Sequence, residues 1–289
     1  MTQHFHGVIP PVVTPLTADG QLDLSSFQRS LDRMITAGVH GVFTLGSSGE
    51  VAFSTDGRRK DIIEAEKLGA SAIVATAPFY ALGGLPEIER HFRLIHEAVP
   101  ELPLFAYDIP VCVHVKLSND MLIRLGRDGV LTGVKDSSND DVAFRFLVDT
   151  NADAGHPLTL LTGQEIVVDG AYMAGADGSV PGLGNVECTG YVRMWNAYQS
   201  GDWETVRAEQ AKLARLMAIV NVTQGVSGFG AGVGAFKTAM ALLGVFDTNQ
   251  MPNPVLPLQG ENVAAIARVL VDCGMELKRT PAEVSASTR

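Results

Sequence analysis

The sequence predicts an α/β protein, a TIM (β/α)8-type barrel with a C-terminal helical extension. Short apolar runs alternate with longer amphipathic segments, the pattern of repeated strand–helix units around a parallel sheet. The runs are continuously apolar rather than alternating, as strands buried on both faces require. Of 289 residues, 46% are hydrophobic and 19% charged, which suits one large core, and thirty glycines spread along the chain serve many tight connections.

Residues 7 to 14 (GVIPPVVT) and 41 to 46 (GVFTLG) read as strands. Between them a helix carries Phe27, Leu31, Met34, Ile35 and Gly38 on one stripe, with Asp23 and Ser25 as natural starts. Further strands are expected at 71 to 77, 102 to 106, 130 to 134, 158 to 162 and 176 to 180, and helices at 85 to 98, 118 to 127 and 139 to 149. Beyond residue 186 the pattern turns helical, with a stripe through Tyr191, Met194, Trp195 and Tyr198 and an amphipathic run from Trp203 to Ile219. The expected organisation is a barrel over residues 1 to 186 carrying the site, a packed helical region over 187 to 277, and a loose polar tail over 278 to 289 that contains Pro281.

A formal charge of −10 argues against nucleic acid as a partner, because phosphate binding needs a basic face. No run approaches eighteen apolar residues and the start lacks a signal-peptide pattern, so the cytoplasm is the expected place. Cys112, Cys188 and Cys273 are odd in number and widely spaced, which indicates neither a disulfide framework nor a zinc site; each reads as a small apolar residue.

In such barrels chemistry sits where strands end and loops begin. Those ends carry Ser47 and Ser48, residues 78 to 80, Tyr107, Lys135, Gln164 and Glu165. Lys135 closes the apolar run VLTGVK. An apolar surrounding disfavours an ammonium and frees an amine that attacks ketones, although a surface lysine snorkelling from a strand end would read the same way. Tyr107, in LFAYDIP, is either a core tyrosine with a satisfied hydroxyl or a relay for protons. LGSSGE, residues 45 to 50, is either a plain glycine turn or a carboxylate cradle of backbone N–H groups and serine hydroxyls. All three at strand ends favour catalysis.

These residues carry a resemblance. The motifs GVIPPVVTPL, GSSGE, PFY, YDIP, GVKDSS, TGQE and GADGSVPGLGNV, spread almost end to end, are similar to those of the dihydrodipicolinate synthase and N-acetylneuraminate lyase family of pyruvate-dependent class I aldolases. The resemblance implies that Lys135 forms an imine with pyruvate or another 2-oxo acid, that Tyr107 handles protons, and that Ser47 and Ser48 hold the carboxylate, with Ser47 also in the proton relay. Tyr80 matches a tyrosine that reaches a neighbouring subunit's site. Gly49, Ser137, Gln164, Glu165 and Val180 fall on the substrate-binding side. Neither a metal nor an organic cofactor is implied, and the family's usual assembly is a homotetramer, a dimer of dimers.

The chain departs from the family pattern in several places. Synthase members carry a carboxylate-binding arginine where this chain has Cys112, and a thiol makes no bidentate ion pair. The acidic pair of the lyase branch reads Gln164 and Glu165, so polyhydroxylated 2-oxo acids stay in view. His114, near the substrate entrance, reads as a solvated loop residue, and Lys237 in GAFKTAM, a position where family members often carry a lysine, reads as structural. Between residues 50 and 78 one strand–helix unit, about 30 residues, is absent from this sequence, with the join near Asp61 to Lys67: either the natural protein tolerates the deletion or the molecule has residues that this sequence omits. Three readings follow: a lyase or aldolase acting on a keto-deoxy sugar acid, a synthase using aspartate semialdehyde, or a non-catalytic carboxylate-binding homologue.

Overall fold

The computed structural model describes residues 5 to 66 and 70 to 288. Residue 67, at the far end of the expected join, and Arg289 of the tail lie outside the described residues. In chain order the elements are β1 (Gly7–Val8), α1 (Leu24–Ala37), α2 (Asp56–Glu66), β2 (Ile73–Thr76), α3 (Leu85–Ala98), β3 (Leu104–Asp108) and α4 (Pro110–Val113). They continue with α5 (Asn119–Arg127), β4 (Gly133–Asp136), α6 (Asp141–Asp153), β5 (Thr159–Thr162), α7 (Val168–Ala174) and β6 (Gly178–Ser179). The remainder is helical: α8 (Cys188–Ser200), α9 (Trp203–Leu216), α10 (Val233–Leu242), α11 (Glu261–Asp272) and α12 (Pro281–Ala286). Among the described residues, no helix is long and apolar enough to cross a membrane.

The chain divides into two compact units, Met1–Gly7 with Gly69–Val180, and Val8–Leu68 with Pro181–Arg289. This is not the boundary at residue 186 that the change of pattern suggested. Compactness follows packing, and the early segment from Val8, with α1 and α2, is grouped with the late helices.

The first unit is a succession of strand, helix and parallel strand. Its six-stranded sheet has the order β1-β6-β5-β4-β3-β2, and α3, α5, α6 and α7 lie each beside the next. Every residue of β3 and β4 is buried, as the continuous apolar runs required. Edge strand β2 is only half-buried along its length. Among the described residues between Phe43 and β2, a short 3-10 turn (Val51–Phe53) and the α-helix α2 stand where the family pattern needs a helix, a strand and another helix, so an edge with a missing neighbour is what the shortened segment should leave. Gly133 in β4 is required sterically: a Cβ there would lie 2.3 Å from the Phe105 ring and 2.5 Å from the Thr159 carbonyl oxygen.

In the second unit, the strand expected over 41 to 46 shrinks to one parallel bridge between Pro11 and Phe43, with Val12 N–H donating to the Phe43 carbonyl at 2.9 Å. The glycine-rich turn that follows takes up the rest. Asn185 ties this segment to the late chain, accepting from Val13 N–H at 2.9 Å and donating to the Pro11 and Gly182 carbonyls at 2.8 Å each. Val12, Phe27, Met34, Ile62 and Cys188 form a buried cluster.

Helix α1 starts as expected, with Asp23 accepting from Ser26 N–H at 3.0 Å. Its buried stripe is narrower than expected: Ser26, Phe27, Ser30 and Met34 are covered while Ile35 is 68% exposed. Gly38 is the left-handed C-cap at φ 83°, not part of the stripe. The tail from 278 is not loose over its described part. Pro281 occupies the first turn of α12, where its missing N–H costs nothing, and Thr280 and Glu283 close a capping box that seats fully buried Val284. Of the cysteines only Cys188 is buried; Cys112 is exposed on α4 and Cys273 half-buried.

Candidate active site

The register of β3 and β4 places Tyr107 opposite Lys135 and Asp108 opposite Asp136. Side chains alternate between the faces of a strand, so the phenol and the amine share one face and the carboxylates the other. Lys135 stands inside β4, one residue before its end, rather than beyond the strand, and Tyr107 is likewise one residue before the end of β3. Only 5% of Lys135 is exposed, and its Nζ lies 4.0 Å from the centroid of the Tyr107 ring. Burial lowers its pKa from 10.5 to about 7, opposed by the Glu165 carboxylate. An amine in this state is substantially unprotonated at neutral pH, which a snorkelling surface lysine is not.

Around this pair the loops after β4 and β5 are held at short range. Ser137 N–H donates to the Asp108 carbonyl at 2.9 Å, and Gly163 N–H to the Asp136 carbonyl at 2.6 Å. A Cβ at Gly163 would fall 2.1 Å from Ser137 Oγ, so these loops approach closely only because residue 163 is glycine. Gln164 N–H donates to Thr162 Oγ1 at 3.1 Å, and Gln164 and Glu165 are half-buried. Val180 is buried, its N–H donating to the Thr162 carbonyl at 2.7 Å. Tyr80 differs from the rest: it is 93% exposed and holds a left-handed backbone, φ 70°.

Ser47, Ser48 and Gly49 belong to the second unit. Both serines are half-buried in a turn in which Glu50 N–H donates to the Ser47 carbonyl at 3.0 Å. Thr14 Oγ1 donates to the Gly49 carbonyl at 2.8 Å. The last residue of GSSGE was passed over in the sequence reading. Glu50 is 2% exposed, left-handed at φ 60°, and its Oε2 lies 2.6 Å from Nζ of fully buried Lys237, which also donates to the Gln250 carbonyl at 2.9 Å. Burial pushes the carboxyl up and the ammonium down, and each opposes the other's shift. Also missed were Asp108, Lys116 and Asp136, which cluster on the reverse face of β3 and β4. An acidic residue directly after each of the singled-out residues Tyr107 and Lys135 was the signal available for them.

The Dihydrodipicolinate synthetase family pattern matches residues 4–65 and 62–272. The chain belongs to this family. The match breaks at 62–65, within the join expected from the sequence. An uncharacterized DapA-like lyase of Halobacterium salinarum is 30% identical over 93% of this chain and 94% of its own; the matched stretch of 301 positions exceeds this chain's 289 residues, so the relative has residues absent here. A 4-hydroxy-tetrahydrodipicolinate synthase of Phenylobacterium zucineum is 29% identical over 73% of this chain and 81% of its own. Among solved structures, a dihydrodipicolinate synthase from Bacteroides thetaiotaomicron matches with a TM-score of 0.87 and 28% identity, covering 94% of this chain and all of that one. The fold class is therefore the family's TIM barrel, built on a parallel sheet, and the chain is a carbon–carbon lyase of the class I aldolase kind.

Proposed function

We propose that this family member forms a Schiff base between Lys135 and pyruvate or a related 2-oxo acid, and makes or breaks a carbon–carbon bond to an aldehyde or within a keto-deoxy sugar acid. The observation that carries this reading is the buried amine of Lys135, with a pKa of about 7, set 4.0 Å over the ring of Tyr107. The neutral amine adds to the keto carbon, and the carbinolamine loses water to give an iminium. The iminium accepts the electron pair of a neighbouring C–H bond as the methyl loses a proton. The enamine so formed attacks an aldehyde carbon, and the aldehyde oxygen takes up a proton. Cleavage of a longer 2-oxo acid is the reverse, and hydrolysis of the iminium frees Lys135. Tyr107 is suited to carry the protons. The family resemblance assigns the 2-oxo carboxylate to Ser47, Ser48 and Gly49, the rest of the substrate to Ser137, Gln164, Glu165 and Val180, and to exposed Tyr80 the neighbouring copy of a homotetramer.

Borohydride reduction with pyruvate tests this reading. Peptide mass mapping should find the reduced adduct on Lys135, and its rate of formation should climb with pH through about 7 and level above it, since only the unprotonated amine reacts. Saturable pyruvate binding with Lys135 unmodified would instead support a non-catalytic homologue.

Cys112 favours the sugar-acid reading over a synthase, because an uncharged thiol on α4 stands where synthase members pair a carboxylate. Introducing that charge with Cys112→Arg should raise kcat/KM for aspartate semialdehyde relative to glyceraldehyde by about tenfold, the scale of one charge-assisted contact. A ratio that stays put in a steady-state comparison would count against a substrate-facing position 112.

A further inference from the structure

Asp108 and Asp136 face each other in register behind Tyr107 and Lys135, and both are buried, at 0% and 3% exposure. Like charges directly opposite on adjacent strands repel, and burial enlarges the repulsion. Their neighbours are unevenly supplied. Ser138 donates to Asp136 Oδ1 through its N–H at 2.9 Å and its hydroxyl at 2.8 Å, and Leu117 N–H donates to Asp108 Oδ1 at 3.2 Å. Asp136 Oδ2 is buried with no hydrogen-bond partner among the described residues. Lys116, on the segment between α4 and α5, fills the gap: its Nζ donates to Asp108 Oδ2, lies 3.6 Å from Asp136 Oδ2, and also donates to the Leu117 carbonyl at 3.4 Å.

We propose that Lys116 is a positioning residue: by bridging the two carboxylates behind the strand ends, it holds β3 and β4 at the spacing that sets the Lys135 amine over the Tyr107 ring. The inference rests on the reading of Lys135 as the imine-forming residue. Without the ammonium, two buried carboxylates meet unneutralised, and either one takes up a proton or the strand ends part. Each response shifts a backbone that carries a reacting group, and displacements on the order of 1 Å cost heavily in rate.

The test compares Lys116→Met, Lys116→Gln and Lys116→Arg in the full chain, reading kcat and KM in a pyruvate aldol assay and the rate of borohydride-trapped adduct at Lys135. Lys116→Met should lower kcat and the trapping rate by about tenfold while KM for pyruvate stays within about twofold. Lys116→Arg, which keeps the charge, should recover most of the loss. A purely structural lysine would reduce the folded fraction and leave kcat per folded molecule unchanged. Wild-type kcat in folded Lys116→Met overturns the proposal, as does an Arg variant no better than Met. Should the Met variant not fold, wild-type kcat in Lys116→Gln overturns it equally. Failure of the parent reading is distinct, since the unsubstituted chain would then show no adduct at Lys135.

Discussion

Lys135→Met is expected to lower kcat/KM by about 10^4-fold or more, abolish the pyruvate adduct, and yield a more stable protein. The first effects follow from the proposed role of Lys135 as the imine-forming nucleophile, which a thioether cannot fill. The third follows from linkage. The folded amine titrates near 7 and the unfolded one near 10.5, so the unfolded state binds more protons across that window. Stability lost to burying the amine is therefore lost in full below pH 7 and restored as pH rises toward 10.5. A pKa difference of this size corresponds to about 5 kcal/mol at most. Urea unfolding at pH 6 and pH 10 checks it: the Met variant should be the more stable at pH 6, with its advantage shrinking at pH 10. Equal stability at both would show that the amine is better solvated than its 5% exposure implies.

The second large effect is on folding. Lys237→Met strips a buried carboxylate of the ammonium 2.6 Å away, leaving Glu50 with Arg58 as its remaining favourable charge. Breaking a buried ion pair from one side costs about 3–5 kcal/mol, which for a chain of this length lowers Tm by roughly 10 °C. Lys237→Met combined with Glu50→Gln should regain most of it, since no unpaired charge stays buried. Calorimetry of both variants decides the point; a single variant within about 1 kcal/mol of the parent would mean that Glu50 takes up a proton at little cost. Because Glu50 closes the turn that carries Ser47 and Ser48, the folded remainder of Lys237→Met should also bind pyruvate more weakly.

Much of the protein is legible in the chain because it depends on near neighbours. Alternation of apolar runs with amphipathic stretches announces the parallel sheet, Asp23 starts α1, and α3 occupies residues 85 to 98 as its periodicity predicts. Tyr107 and Lys135 are visible as polar residues closing apolar strands. The missing strand–helix unit is equally visible, as a segment too short for its pattern. Pro281 misled because proline breaks a helix interior but favours a helix start, and the choice depends on Thr280 and Glu283 beside it.

Sequence by itself determined the strand–helix alternation, the family and the two groups best suited to the chemistry, since each is written in local spacing or in motifs. Only the tertiary structure decided how those groups are tuned and braced. The low pKa of Lys135 comes from burial by neighbouring strands, and the pairing of Glu50 with Lys237 and of Lys116 with two aspartates comes from strand register and helix packing. Electrostatic energy depends on distance through space and on removal from water, and neither is a function of separation along the chain.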